Sequence, residues 1–273
     1  MSRAVEIADA RANRIGHQLY AGRARALIER SSIAFRRSTW VPIVTGFIEP
    51  VLYLLAFGYG MGKLVGDVQT SFGLVDYTVF IAPGLLATSA MNGAIYDSTW
   101  NVFFKLHESK LYQGMLATPL GPLDVALGEM AWALLRGLAY AIAFLLITTP
   151  LGLVDGFHSI FAIPAALLIA FAFASFGMAI TSYFQTYQQM GAINLVILPM
   201  FLFSGSLYPI SVYPDWLEFI IRLLPTWQGI ELVRYLWFGV WNGALLVHII
   251  YFATMITIGL YFTTRRLRHL FMR

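Results

Sequence analysis

The sequence predicts an all-α integral membrane protein with six transmembrane helices, an amphipathic N-terminal interfacial helix, and a re-entrant external helical hairpin between spans 5 and 6. The first observation behind this fold class is composition: 59% of the 273 residues are hydrophobic and 12% are charged, whereas soluble domains carry about 25% charged residues. The second is that the apolar residues form segments long enough to cross a bilayer. The third is that the basic residues are concentrated at the two ends of the chain.

The transmembrane helices follow from the length of the apolar segments, because a hydrocarbon core about 30 Å thick requires about 20 apolar residues per helix. Six segments approach that length, at residues 41–62, 78–100, 123–149, 160–183, 189–208 and 244–263. We therefore expect a cytoplasmic amphipathic segment over residues 1–40, a membrane domain over 41–264 and a basic cytoplasmic tail over 265–273.

The distribution of basic residues predicts the orientation of these helices. Of the 18 Lys and Arg residues, 8 lie within residues 1–40 and 4 within 265–273, and Lys105 and Lys110 lie in the connection after the second span. Cytoplasmic loops are enriched in Lys and Arg, so both termini are expected in the cytoplasm of a bacterial inner membrane. Basic flanks of this kind indicate orientation and contact with membrane lipids rather than nucleic-acid binding.

The basic segment before the first span places apolar residues among arginines at loosely helical spacing, including Ile15, Leu19, Leu27 and Ile33. This spacing over residues 5–37 is typical of an amphipathic helix lying on the inner leaflet. A partly disordered basic tail held by anionic lipid is the alternative, because the apolar stripe is discontinuous.

No pattern in the sequence supports catalysis or a bound cofactor. The nearest match to a phosphate-binding loop is Gly58–Leu64, but Phe57 stands where its first glycine is required and Leu64 lacks the hydroxyl. The glycines Gly58 and Gly62 are instead placed to let another helix approach closely. There is no cysteine and the histidines are scattered, so no zinc-ligand spacing is present. If ATP drives this protein, another subunit must hydrolyse it.

The connection over residues 103–119 contains the helically spaced stripe Leu106, Leu111 and Met115 and ends at Pro119. This pattern predicts a short amphipathic helix at the membrane surface, either a docking element or an ordinary interhelical loop.

Four ionisable residues are predicted at membrane depth, where each charge costs about 2.5–3.5 kcal/mol on insertion scales. They are Glu49, Asp97, Glu129 and Arg136. Arg136 could be neutralised in the neighbourhood of Glu129, seven residues away on the same helix face, or by Glu49 or Asp97 on another helix. These charges either fix the packing of the helices or line a translocation path.

The fifth span is interrupted before it is complete. Ser204, Gly205 and Pro209 break the helix, and residues 214–224 then form a segment too short to span but apolar enough to re-enter the outer leaflet. Arg222 and the Glu231/Arg234 pair would lie at the outer headgroups. A lid that only anchors at the interface is the alternative.

Several motifs in this region occur in a characteristic order: Phe203-Ser-Gly-Ser-Leu-Tyr-Pro209, Tyr213-Pro-Asp-Trp216, Leu223-Leu-Pro-Thr-Trp227 and Glu231-Leu-Val-Arg234. Together with Tyr77–Ala87, which contains Pro83-Gly84, they resemble the type-2 ATP-binding-cassette exporter permeases, including those for nodulation lipo-oligosaccharides and daunorubicin-like drugs. The resemblance extends over residues 41–262.

The resemblance implies a permease that moves an amphipathic or lipid-linked substrate, such as a drug, a glycolipid or a polyketide, by alternating access. It implies two ATP-binding subunits that hold ATP and Mg²⁺, and a second permease, identical or homologous. Residues of two regions would carry these roles. The element that docks on the ATPase would include Leu106, Glu108, Lys110, Leu111, Met115 and Pro119. The external gate would include Ser204, Gly205, Pro209, Pro214, Trp216, Pro225, Glu231 and Arg234.

Two other classes remain open on the residues alone. An ion-coupled carrier would use Glu49 or Arg136 as its coupling site, although such carriers normally have broken helices in both halves. An enzyme acting on lipid within the membrane would need a nucleophile or metal cluster, and the sequence contains no convincing one.

Overall fold

The computed structural model of the protein describes residues 22–36, 48–118, 120–154 and 156–271. Its elements in chain order are α1 (Ala24–Arg36), α2 (Ile48–Val65), β1 (Asp67–Thr70), β2 (Gly73–Asp76), α3 (Tyr77–Glu108), α4 (Leu111–Leu116), α5 (Pro122–Thr148), α6 (Phe157–Thr181), α7 (Tyr187–Leu202), α8 (Asp215–Leu223), α9 (Pro225–Trp237) and α10 (Gly243–Phe271). The described part of the chain is therefore mostly helical, as the sequence predicts.

Within these residues, five helices are long and apolar enough to cross a membrane: α2, α3, α5, α6 and α10. The predicted fifth span is shorter than expected. It corresponds to α7, whose 16 residues extend about 24 Å at 1.5 Å per residue, less than the hydrocarbon thickness. Two spans are longer than expected, because α3 continues to Glu108 and α10 continues through the basic tail to Phe271.

Local sequence signals explain where the helices begin. Asp76 accepts a hydrogen bond from the Thr78 amide (2.8 Å) and so caps the start of α3. Helix α5 starts with Pro122, and Asp124 accepts a hydrogen bond from the Gly121 amide (2.9 Å). Proline also occupies the first turn of α9, at Pro225.

The long helices alternate in direction between two ends of a bundle. The basal end is defined here by residues 22–34, 104–118, 120–122, 182–186 and 264–271. There the Arg266 side chain donates to the Ser182 carbonyl (3.3 Å). The distal end is defined here by residues 63–76, 149–154, 156–161 and 203–242. There the centre of the Phe72 ring lies 5.2 Å from that of Tyr235. Trp237 joins the same end by donating to the Leu153 carbonyl (3.1 Å).

The core is formed around α6, which packs against α3, α5, α9 and α10. Its contact with α10 is close because Gly259 has no side chain: a Cβ there would lie 2.6 Å from the Ser175 hydroxyl. The predicted role of Gly58 and Gly62 is confirmed in the same way. A Cβ at either glycine would lie within 3.0 Å of the Thr78 side chain, so α2 and α3 can meet at this point.

Two features differ from the sequence-based expectation. A two-stranded antiparallel hairpin, β1 and β2, connects α2 to α3, whereas the predicted all-α fold contains no strand. Of the N-terminal segment, residues 1–21 and 37–40 lie outside the described part. Within it, α1 buries Leu27 to 3% exposure while Ile33 is 59% exposed. The predicted apolar stripe is thus divided, because Leu27 faces the protein and Ile33 does not. Leu27 packs so closely on α5 that a Cβ at Gly128 would lie 2.6 Å from it.

Candidate functional site

The predicted docking element is two helices rather than one. Helix α3 runs on to Glu108, the chain turns at Ser109 and Lys110, and α4 follows over Leu111–Leu116. Lys110 adopts a positive φ of 48°, which interrupts the helical hydrogen bonds. The expectation of one helix across residues 103–119 is therefore wrong. Pro119, its predicted last residue, lies outside the described residues.

The residues of this element face in opposite directions. Leu106 and Met115 are buried in the core of this protein itself, and Leu111 is partly buried. Glu108, Lys110, Gln113 and Gly114 are exposed. We call these four residues the basal surface. Contact with another protein at this point would therefore use the polar residues rather than the predicted apolar stripe.

Tyr112 anchors α4 beneath the basal surface. Its side chain is fully buried, and burial, together with the nearby Glu129 carboxylate, raises the pKa of the Tyr112 phenol well above its usual range. Helix α1 is fixed to the same end because Asp124 accepts a hydrogen bond from the Arg23 amide (2.9 Å). Asp124 thus joins the start of α1 to the start of α5, a role that sequence reasoning missed.

Two ion pairs connect α3 and α5 within the membrane-spanning part. Asp97 pairs with Arg136, one of the partners that the sequence suggested. Glu129 pairs instead with Lys105, at 2.6 Å between Oε2 and Nζ, and only 8% of the Glu129 side chain is exposed. Glu49 belongs to neither pair and lies exposed near the start of the described part of α2. Four charges thus neutralise one another in pairs, which lowers the cost of holding them in an apolar environment.

The backbone of α3 explains why both pairs form. Asp97 and Lys105 are eight residues apart, so in a regular α-helix they would be about 80° apart around the axis. Two π-helical turns, Asp97–Asn101 and Phe104–Glu108, include these residues. A π-turn is wound less tightly because its hydrogen bonds reach one residue further. The looser winding rotates Lys105 back toward the helix face that carries Asp97. Both residues then face α5, where Lys105 pairs with Glu129 and Asp97 pairs with Arg136.

The interruption after α7 is a turn fixed by hydroxyl groups, at the place that the sequence predicts. The Ser204 hydroxyl donates to the Phe201 carbonyl (2.6 Å) and accepts from the Ser206 amide (3.2 Å), which satisfies groups left open at the helix end. Gly205 adopts a left-handed φ of 74°, and a Cβ there would lie 2.9 Å from Ile210. Glycine is therefore required at this turn.

Arg234 of α9 holds this turn in place. Its guanidinium is 3% exposed and donates to Glu231 (3.0 Å) and to the Gly205 carbonyl (2.7 Å). It also lies 4.0 Å from the ring centre of Phe80 in α3, a favourable cation–π geometry. Burial lowers the pKa of Arg234, and the adjacent Glu231 opposes this shift. We call Gly205, Glu231, Arg234 and Phe80 the distal clamp.

A second contact brings α3 against the same turn. A Cβ at Gly84 would lie 3.0 Å from the Ser206 carbonyl oxygen and 3.1 Å from its Cα. The absence of a side chain at Gly84 therefore allows the backbone of the turn to lie directly on α3. Sequence reasoning singled out Pro83-Gly84 as the entry to the second span but missed this contact.

The remaining predicted gate residues define the short helices beyond the turn. Pro209 precedes the turn Ile210–Val212, Pro214 immediately precedes α8, and Pro225 begins α9. Trp216 is 66% exposed. It belongs to an exposed apolar face of α8 that also includes Phe219, Ile220 and Leu223. The structure thus places Trp216 and Pro214 outside the clamp, while Ser204, Gly205, Glu231 and Arg234 are brought together.

Among the residues that the structure describes, no group of three or more histidine and acidic side chains is arranged to hold a metal ion. The candidate functional features are instead the basal surface, the two ion pairs and the distal clamp. Lys105, Asp124 and Phe80 were missed because their partners lie on other elements. The only signal available for Lys105 was that Glu129, a carboxylate at membrane depth, requires a cation.

Comparison with known proteins identifies the family. Residues 23–238 match the ABC-2 type transporter family. The chain is 32% identical to Nodulation protein J of Sinorhizobium fredii over 82% of this chain and 84% of that protein. It is 30% identical to Nodulation protein J of Rhizobium leguminosarum bv. viciae over 91% and 95%, and 25% identical to the inner membrane transport permease YadH of Escherichia coli over 74% and 77%. The chain therefore belongs to the ABC-2 type transporter family and is a membrane permease.

Proposed function

We propose that this protein is the membrane subunit of an ATP-driven exporter that moves an amphipathic or lipid-linked substrate out of the cytoplasm by alternating access. It would assemble with a second permease, identical or homologous, and with two ATP-binding subunits that hold ATP and Mg²⁺. The observation that carries the proposal is the family match over residues 23–238. The name of the Escherichia coli relative, an inner membrane transport permease, supports placing the protein in the bacterial inner membrane.

In this proposal the chain crosses the membrane six times, with α7 as the fifth and shortest crossing. The alternating directions of α2, α3, α5, α6, α7 and α10 support an even number of crossings. The basal end carries Lys105, Lys110 and the arginines of α10, so the positive-inside rule places it in the cytoplasm. The distal end, with the turn after α7, would then face outward.

The basal surface is proposed as the site where the ATP-binding subunit docks. It combines two exposed opposite charges, Glu108 and Lys110, with the exposed Gln113 and Gly114, and Tyr112 fixes it to the core from below. Rigid attachment is needed if motion of the ATPase is to reach the membrane helices. Helices α8 and α9 are proposed as the external gate, and the exposed apolar face of α8 is suited to insertion into the outer leaflet.

The alternative of an ion-coupled carrier is weakened by the ion pairs. A coupling site needs a charge that binds and releases an ion during the cycle, whereas Asp97, Glu129 and Arg136 are engaged with one another or with Lys105. The remaining candidate, Glu49, is exposed on α2. No second function is favoured over the exporter.

Reversing the two charges of the basal surface tests the docking role. The double variant Glu108→Lys with Lys110→Glu keeps the net charge, and it should reduce co-purification with the ATP-binding subunit and the rate of substrate-dependent ATP hydrolysis. The control Lys63→Glu with Asp67→Lys makes the same kind of exchange between exposed residues at the distal end. Normal assembly and ATP hydrolysis in the basal double variant would refute the docking role.

Single cysteines test the orientation, because the native chain has none. Cysteines replacing Ser71 or Ser211, both exposed at the distal end, should react with impermeant thiol reagents in intact cells. A cysteine replacing Ser109, exposed at the basal end, should react only after lysis. Ser159 is unsuited to this test since it is fully buried and donates to the Trp237 carbonyl. The reverse pattern of labelling would overturn the proposed topology.

A further inference from the structure

A small cavity with polar and apolar walls lies between α3, α5 and α6, beside the two ion pairs. Its lining includes Asp97, Asn101, Glu129, Arg136, Met130 and Met178. The cavity has room for about one water molecule. It is therefore too small for a substrate but large enough for a structural ligand.

Two polar atoms at this cavity are buried, and neither has a hydrogen-bond partner within the part of the chain that the structure describes. They are Oε1 of Glu129 and Nε of Arg136. Glu129 uses its other carboxylate oxygen for Lys105, and Arg136 uses Nη2 for Asp97. A buried polar atom without a hydrogen-bond partner destabilises the fold, and more strongly when it is charged, so both atoms require a partner.

The chemistry of these two atoms selects the ligand. Glu129 Oε1 is an acceptor and Arg136 Nε is a donor, so one molecule that reaches both atoms from the cavity must donate to the first and accept from the second. A metal cation would be repelled by the guanidinium of Arg136, and an anion would be repelled by the carboxylates of Asp97 and Glu129. The four charges of the two pairs already cancel, and adding a fifth would leave a net charge in an apolar environment. A neutral molecule with one oxygen satisfies both atoms.

We propose that this cavity holds an ordered water molecule, which donates to Glu129 Oε1 and accepts from Arg136 Nε. The water joins the pairs Asp97–Arg136 and Lys105–Glu129 into one hydrogen-bonded network between α3 and α5. Asn101, whose side chain also lines the cavity, offers a further partner. The proposal does not depend on the transport function, because it concerns only the packing of the two helices.

Hydroxyl-radical footprinting by X-ray radiolysis tests the water directly, since the radicals form from water and oxidise adjacent methionines. Met130 and Met178 line the cavity and are 2% and 1% exposed. Met91 and Met190 are 1% and 0% exposed and do not line it, so they are matched controls. In the purified full-length protein, with oxidation measured by mass spectrometry, Met130 and Met178 should be oxidised several-fold faster than the controls.

Filling the cavity should remove this difference. Ala133 lines the cavity from α5 and Ala174 from α6, so Ala133→Val and Ala174→Val displace the water from two independent walls. Either folded variant should protect Met130 and Met178 to the level of Met91 and Met190. Equal protection of all four methionines in the native protein would overturn the proposal. So would fast oxidation that persists in both filled variants, because the radicals would then reach the methionines from elsewhere.

Discussion

Replacement of Arg234 by methionine should destabilise the protein strongly, because the guanidinium is the centre of the distal clamp. The change removes one partner of a buried ion pair, and Glu231, whose side chain is 13% exposed, is left without its cation. Breaking a buried pair in this way costs about 3–5 kcal/mol. The partial exposure of Glu231 places the expected loss of unfolding free energy near the lower limit, about 3 kcal/mol.

The double variant Glu231→Gln with Arg234→Met separates the ion pair from the other contacts. It removes the uncompensated carboxylate, so part of the loss should be recovered. The remaining deficit should be about 1–3 kcal/mol, since the buried Gly205 carbonyl has lost its donor and Phe80 has lost its cation. The two single variants and the double variant form a thermodynamic cycle whose coupling energy measures the pair.

Denaturant unfolding of the detergent-solubilised protein, followed by circular dichroism, measures these differences. Arg222 and Glu218 form an ion pair of similar sequence spacing on α8, but the Arg222 side chain is 57% exposed. Arg222→Met should therefore cost less than about 1 kcal/mol, as surface pairs do. If Arg234→Met were no more destabilising than Arg222→Met, the distal clamp would not stabilise the turn and the reasoning would fail.

Two further predictions concern the two ends of the bundle. Gly128→Ala should displace α1, because the new carbon would lie 2.6 Å from Leu27 Cβ. Limited proteolysis within residues 22–36 should therefore be faster in this variant than in the control Gly137→Ala, where the added methyl group meets open space. Equal proteolysis rates in the two variants would contradict the contact between α1 and α5. At the distal end, burial and the hydrogen bond with Tyr208 raise the pKa of Tyr213 to about 12 from 10.0. The stabilisation from its bound proton should be complete below pH 10 and lost as the pH rises through about 12. Absorbance titration should show one phenol fewer ionising near pH 12 in Tyr213→Phe, and an unchanged titration would refute the shift.

Features encoded locally could be predicted from the sequence. Apolar length located five membrane-spanning helices, and glycines four residues apart marked the contact of α2 with α3. The Ser204-Gly205 pair located the break after α7, because a glycine with positive φ and a serine that caps a helix end are both short-range signals. The three-residue spacing of Glu231 and Arg234 likewise predicted their pairing.

Features that depend on distant parts of the chain could not be predicted. The pairing of Lys105 with Glu129 joins residues 24 positions apart on different helices, and it requires π-helical turns that no simple periodicity reveals. The stripe Leu106, Leu111 and Met115 has helical spacing, but Lys110 between them adopts a left-handed conformation. Spacing alone could not show that this stripe faces the core of the permease instead of a partner.

Helix α3 connects all three functional features, and this has a mechanical consequence. Its basal end, with Lys105 and Glu108, leads into the basal surface, Asp97 lies further along the helix, and near its distal end Gly84 contacts the turn after α7. A displacement of the basal surface would therefore reach the distal turn through one continuous helix. The two π-helical turns, Asp97–Asn101 and Phe104–Glu108, lie in the basal half of α3 and reach the basal surface. The ion pairs to α5 span this same stretch, so they resist bending there and would make α3 and α5 move as a unit.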